Sequence, residues 1–399
     1  MIVRELQSDA DLLAAQKIGV LAFNSSCDME ETAKNIAANA KPQGIYGAFD
    51  EGGRLCAKLK HCPYNMIFDG HRVKMSGVAG VASLVEARGK GAVRAIFRHL
   101  LLQQRQDGWL FSTLYPFANS YYRQFGYDVC NFNEVYTLPT KALAAYAKSS
   151  RCEATLGLPD DDRTPYELIF AEFTRDRNLS VCRTDDMWSR RLSPDPFKDK
   201  VYRYLLRDAQ QCPVAYVIFT PGSVDGSRSI KVTDSAFVDA GAGRDLLGFL
   251  ATLSAQYPKL EISLPTDIDL VVALPEAYDC RKSWGACGQG RVLDVQAVLE
   301  LMRYPAENGS FSIAVDDVFL PEVSGTFRVA FQADGSRAVE PYATATADMR
   351  CSQECFTQLC LGFCDLAGAA LRTDLAVNAK HDLLQRVFAR KPRFFTERF

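Results

Sequence analysis

The sequence has no surplus of positive charge: 46 Lys and Arg stand against 48 Asp and Glu in 399 residues, a formal net charge of −2. Phosphate binding is driven by a basic excess, so nucleic acid is not expected as the main partner, although a local basic patch is compatible with the count. No uninterrupted apolar run approaches the roughly 18–20 residues of a membrane helix, so no membrane span is expected. The opening residues, MIVRELQSDADLLAAQ, place charges at Arg4, Glu5, Asp9 and Asp11 where a signal peptide would have an apolar core. A cytoplasmic location is the expectation. Thirteen cysteines, an odd number, would invite mispairing in an oxidising compartment, whereas reduced thiols act as small buried hydrophobes. Most of them therefore read as core.

At roughly 100–200 residues per domain, the length points to two or three domains. With 48% hydrophobic and 24% charged residues, the composition excludes collagen-like, coiled-coil and wholly disordered classes. Residues 43–50, 54–68 and 72–84 read as extended segments divided by Glu51-Gly52-Gly53 and Asp69-Gly70, the marks of an antiparallel meander. Helical spacing precedes it at 9–18 and 28–40. After it, 92–105 is amphipathic, with Val93, Ile96, Phe97, Leu100 and Leu101 on one side, and 109–115 is a strand. That order is an α+β layer and not a Rossmann fold.

A second unit follows the stretch LPTKALAAYAKSS. Its first helix is expected to have Thr164 as N-cap, Pro165 at the first helical position and Glu167 closing a capping box. Strands 201–207, 213–220 and 229–238 lead to a turn, Gly241-Ala242-Gly243-Arg244, and an apolar helix, 245–255. The repeated strand, glycine turn and helix hint at a divergent tandem duplication. A third unit from about Gly290 has a strand and helix in VLDVQAVLELM, strands in FSIAVDD, FLPEVSGTFRVAF and AVEPYATATADM, and helices at 352–371 and 379–389.

The most informative stretch joins strand 72–84 to helix 92–105 through Val85-Glu86-Ala87-Arg88-Gly89-Lys90-Gly91-Ala92-Val93. Glycines beside a helix N-terminus leave backbone N–H groups free to face an anion such as a pyrophosphate, and the helix dipole adds positive potential. Arg88, Lys90 and Arg94 add charge. An ordinary glycine turn with solvated basic residues would look the same.

This stretch resembles the acetyl-CoA loop of the GNAT acetyltransferases, Arg/Gln-x-x-Gly-x-Gly/Ala, met by Arg88 to Val93 with Val93 departing at the last place. Downstream, Leu114-Tyr115-Pro116 and Tyr122-Arg123-Gln124-Phe125-Gly126-Tyr127 resemble the Tyr-Pro and Tyr-x-x-Phe-Gly-Tyr segment of the enhanced intracellular survival (Eis) branch. Arg291-Val292-Leu293-Asp294-Val295 is similar to the start of that branch's third domain. The resemblance spans the chain and implies tandem GNAT domains followed by a sterol-carrier-like α+β domain: a catalytic GNAT domain at 1–140, a degenerate one at 141–289, and residues 290–399, whose C-terminus completes the active site. It further implies a homo-oligomer, with a hexamer usual in the branch.

The resemblance also assigns roles. Acyl transfer to an amine needs a base to free the lone pair, an oxyanion binder and an acid for the departing thiolate. Val81 and Ser83 would hold the pantetheine, and Arg88, Gly89, Lys90, Gly91, Ala92 and Val93 the phosphates of acetyl-CoA, the co-substrate. Tyr122 matches the general acid. The base would be the terminal carboxylate of Phe399, since no His or acidic motif stands out in the first domain. Phe394, Phe395 and Phe399 support a docked tail, because three rings in six positions favour burial. Phe23 falls in the acceptor region, while Arg398 brings positive charge where an acidic residue would suit a polycation.

The expected activity is acetyl-CoA-dependent N-acetylation of a primary amine, aminoglycoside-like or lysine, in a direct ternary complex. The alternative is a non-catalytic scaffold that binds CoA or an apolar ligand. No metal is expected: on one long helix, Cys351 and Cys355 would lie nearly opposite Cys360 and Cys364. Gly241 to Arg244 reads as a structural turn and Asp160 to Asp162 as a solvated face beside a helix start.

Overall fold

The computed structural model describes residues 1–39, 43–148 and 151–399. Ala40, the end of the expected helix 28–40, and Ser149 and Ser150 of the expected linker lie outside them.

The first unit contains β1 (Ile2–Glu5), α1 (Asp9–Phe23), α2 (Met29–Ala38), β2 (Ile45–Phe49), β3 (Leu55–Phe68), β4 (His71–Ser83), α3 (Ala92–Gln106), β5 (Phe111–Leu114), α4 (Asn119–Arg123) and β6 (Asp128–Pro139). The second contains α5 (Ala144–Ala147), β7 (Glu153–Leu156), α6 (Thr164–Thr174), α7 (Asp185–Leu192), α8 (Pro196–Asp199), β8 (Tyr202–Arg207), β9 (Pro213–Val224), β10 (Ser227–Phe237), α9 (Ala240–Thr252), β11 (Lys259–Leu264), α10 (Leu270–Ala273) and β12 (Arg281–Val292). The third contains α11 (Val295–Leu301), β13 (Gly309–Asp316), β14 (Gly325–Phe331), β15 (Arg337–Pro341), β16 (Met349–Ser352), α12 (Gln353–Cys360), β17 (Leu375–Val377) and α13 (His381–Val387).

The first two units share one 12-stranded sheet, in the order β1-β2-β3-β4-β5-β12-β6-β11-β10-β9-β8-β7. β12 joins them: it pairs antiparallel with β5 on one edge and with β6 on the other. The third unit has its own five-stranded sheet, β15-β14-β13-β16-β17, yet its buried side chains belong to the same apolar core as those of the first. The seam between them explains two of the motifs. Arg291 is fully buried, paired with Asp317 and donating to the carbonyl of Phe125. Gly126 takes φ +78, which disfavours a side chain, and a Cβ there would in addition run into that guanidinium at 2.6 Å. Among the described residues no helix is long and apolar enough to cross a membrane.

Three local expectations are corrected. Thr164 is the first residue of α6 and not its cap: its hydroxyl bonds Asp162, and Glu167 pairs with Arg163. Gly241 to Arg244 is no turn but the first turn of α9, whose N-terminus is closed by the Asp239 carboxylate accepting from the Ala242 N–H at 2.8 Å. The expected helix 352–371 ends at Cys360, two residues before Gly362 at φ +75. Cys351 therefore sits on β16 and Cys364 beyond the helix, so the helical-face argument does not apply to them. The Asp160 to Asp162 run also does more than face solvent, since Asp161 accepts from the Leu158 N–H and Asp162 from that of Thr164.

Candidate active site

β4 and β5 run parallel from Met75–Phe111 to Val78–Leu114, and then β5 ends while β4 continues to Ser83. The last residues of β4 thereby lose their neighbour on that side, and a gap opens in the sheet. On its other side β4 carries an extra residue: Lys58 pairs with Ala82 but Lys60 with Ala79, so Gly80 and Val81 together face Leu59. This is a β-bulge, and Gly80 takes φ +54 to make it. Val81 and Ser83 lie at this bulged end of β4, beyond the last β5 pair.

Beyond Ser83 a short turn at Val85–Ala87 leads to Arg88, and Gly89 and Gly91 follow at φ +74 and +81, with open space where a Cβ would stand. Gly91 is the N-cap of α3 and offers no side chain to the first N–H groups. A helix start leaves such donors without intrahelical partners, and they attract anions. The contrast with α9 is direct, since there the chain's own Asp239 occupies the equivalent position. A cleft of about 790 Å³ opens between the gap and this N-terminus, and Phe23, Val81, Ser83, Arg88, Gly89, Gly91, Ala92, Val93 and Arg94 line it together with Tyr121 and Phe125. Lys90, in the same loop, is exposed and is not part of the lining.

Tyr122 stands on α4, 4% exposed, with its ring against those of Phe97, Phe117 and Tyr121 at 6.2, 5.6 and 5.1 Å. Burial, helped by the neighbouring Tyr121 and Tyr127, pushes its phenol well above the usual range, so it stays protonated. Tyr121 and Phe125 line the cleft, and Tyr122 lies among them without forming its wall.

The C-terminal segment is threaded between the first two units. The Phe394 N–H donates to the Asn178 carbonyl at 3.0 Å, and the Val181 N–H to the Thr396 hydroxyl at 3.2 Å. Glu397, 5% exposed, is gripped by Arg183 at 2.8 Å and Arg191 at 2.7 Å, and Arg183 also pairs with Asp234 at 2.7 Å. The Tyr115 hydroxyl donates to the Glu397 carbonyl at 2.8 Å, and Phe395 stacks on the Tyr115 ring at 5.0 Å. The Phe399 ring then packs against Tyr64 at 5.1 Å and Tyr115 at 5.7 Å, over Gly77 of β4. No contact joins Phe399 to Tyr122, and Phe399 does not line the 790 Å³ cleft. Of the two expected catalytic residues, Phe399 packs on β4 at Gly77 and Tyr122 packs against Phe97 of α3. Sequence reasoning missed Tyr64, Gly77, Arg183 and Glu397, which carry no motif. Tyr115 was in view, within the Tyr-Pro segment.

Three family models match in tandem: an acetyltransferase (GNAT) domain at residues 3–130, a second acetyltransferase (GNAT) domain at 179–292, and a sterol carrier protein domain at 295–396. No curated protein matches the sequence. Among solved structures, a GCN5-related N-acetyltransferase from Anabaena variabilis is similar at TM-score 0.80 and 20% identity, over 98% of this chain and all (100%) of that one. Eis1 from Mycobacterium abscessus aligns at TM-score 0.79 and 19% identity over 100% of both chains. A probable N-acyltransferase from Enterococcus faecalis aligns at 0.78 and 20%, over 98% and 97%. At these identities the likeness is one of fold. The chain is a GNAT acyltransferase of Eis-like architecture, two GNAT domains followed by a sterol carrier protein domain.

Proposed function

We propose that the chain transfers an acetyl group from acetyl-CoA to a primary amine within a ternary complex, at a site in the first of three domains divided near residues 140 and 290. What supports this most is the difference between the two GNAT helix starts, α3 with open N–H donors and α9 closed by Asp239. The bulged end of β4 suits a pantetheine, whose amides would bond the backbone of Val81 and Ser83, and the loop from Arg88 to Val93 suits the phosphates. Acetyl-CoA supplies the acetyl group. The Phe399 carboxylate takes the proton released from the amine as its nitrogen bonds the acetyl carbon, and Tyr122 gives its proton to the sulfur as the C–S bond breaks. Phe23 flanks the acceptor. On this reading the protein is cytoplasmic and assembles as a homo-oligomer, a hexamer by resemblance.

The decisive experiment is CoA-thiol release from acetyl-CoA across a panel of primary amines, with release dependent on the amine as the expected result. Acetyl-CoA binding without release with any amine would leave the chain a carrier. Two substitutions locate the parts. Gly91→Val places a branched Cβ over the open helix start at a positive φ and should raise the Kd for acetyl-CoA about tenfold or more, by calorimetry. Gly77→Ala should leave that Kd unchanged and lower kcat about tenfold or more, because the new Cβ would lie 2.8 Å from both the Phe399 and the Tyr64 rings and must push the terminal ring aside.

A further inference from the structure

The sheet face that carries α1 holds an ammonium group without a counter-charge. Lys58 stands on β3 opposite Ala82, at the register shift that marks the β4 bulge. Two glycines make room for its head: a Cβ on Gly80 of the bulge would lie 3.1 Å from Nζ, and one on Gly19 of α1 would lie 3.5 Å away. The same Nζ lies 5.8 Å from the ring centroid of Phe23, which lines the cleft. Among the described residues no carboxylate pairs with Lys58, and four carboxylates of neighbouring elements are engaged elsewhere. Asp11 is held by Arg4, Asp28 caps α2, Glu86 is held by Arg54, and Glu397 is taken up by Arg183 and Arg191. Burial, with Lys60 nearby, also holds the Lys58 ammonium below its usual pKa, so an arriving anion would relieve an unfavourable charge.

A polycationic acceptor would meet the ammonium of Lys58 here, with no carboxylate paired to it among the described residues. We propose that Lys58 is an anion subsite of the acceptor groove, so that the amine acetylated also carries a carboxylate, as an amino acid does. One ammonium matches one carboxylate, whereas a phosphate dianion would call for more donors than this position offers. The inference rests on the acetyl-transfer reading above and narrows its substrate class.

The test compares α-amino acids with the carboxylate-free amines left by their decarboxylation, such as ornithine with putrescine and lysine with cadaverine, by kcat/KM for CoA release from the full chain. A partly buried charge-assisted contact should favour the carboxylate-bearing member about tenfold or more in the wild-type protein. Lys58→Met should bring the members of each pair to within about threefold, and Lys58→Arg should restore part of the difference. Equal rates in the wild type, a preference for the decarboxylated member, or a ratio that survives Lys58→Met while the KM for acetyl-CoA rises would each overturn the subsite. The last result would give Lys58 to the cofactor. If no amine of either kind is turned over, acetyl transfer itself fails, an outcome distinct from turnover without preference.

Discussion

Adding a single glycine after Phe399 is expected to lower kcat by about 10²–10⁴-fold, the usual contribution of a positioned general base, while leaving the Kd for acetyl-CoA unchanged. One more residue moves the terminal carboxylate by about 3.3–3.6 Å along an extended chain, more than a proton transfer between hydrogen-bonded atoms tolerates. The tail cannot slide to compensate. Glu397, two residues upstream, is fixed on Arg183 and Arg191, and its carbonyl is held by Tyr115. For the same reason the extended protein should melt within a degree or two of the parent, which separates lost chemistry from lost folding. Steady-state kinetics, calorimetry and a melting curve on the two proteins decide the matter. A C-terminally extended protein with full activity would remove Phe399 from the mechanism.

The same contacts show why only part of the site was legible in the sequence. The loop from Arg88 to Val93 could be read because its chemistry is local: two glycines, a helix start and nearby cations lie within seven residues. Tyr122 and Phe125-Gly126 could be singled out only by the resemblance to the Tyr-x-x-Phe-Gly-Tyr segment. The grip on the tail could not, since Arg183 and Glu397 lie 214 residues apart and look like any surface pair until β12 joins the two units into one sheet. Strand β12 itself was missed. Its first five residues, Arg281 to Gly285, are exposed and lack apolar alternation, and its pairing is dictated by β5 and β6 instead of by its own pattern. The reading of Gly241 to Arg244 as a structural turn failed differently, because this glycine-rich string opens α9. There Asp239, one residue before the helix, supplies the anion from within, so the glycines serve packing: Gly243 lies against the Phe237 ring, 3.0 Å from where its Cβ would stand.

Tyr122→Phe isolates the second catalytic role, and its expected effect is a fall in kcat of about 10²-fold or more with little change in stability. The substitution removes one oxygen and keeps the ring between Phe97, Phe117 and Tyr121. No hydrogen bond among the described residues is given up with that oxygen, so the folded state loses little. The pH dependence supplies a sharper check. A free phenol ionises near pH 10, but burial holds the Tyr122 phenol above that value, so the proton it must donate remains in place as the solution becomes alkaline. At saturating substrates, kcat of the parent enzyme should therefore show no descending limb up to about pH 10. An alkaline limb well below pH 10 that disappears in Tyr122→Phe would mean that the phenol titrates as an exposed one does. A variant with unchanged kcat would mean that the thiolate leaves without a proton from this residue.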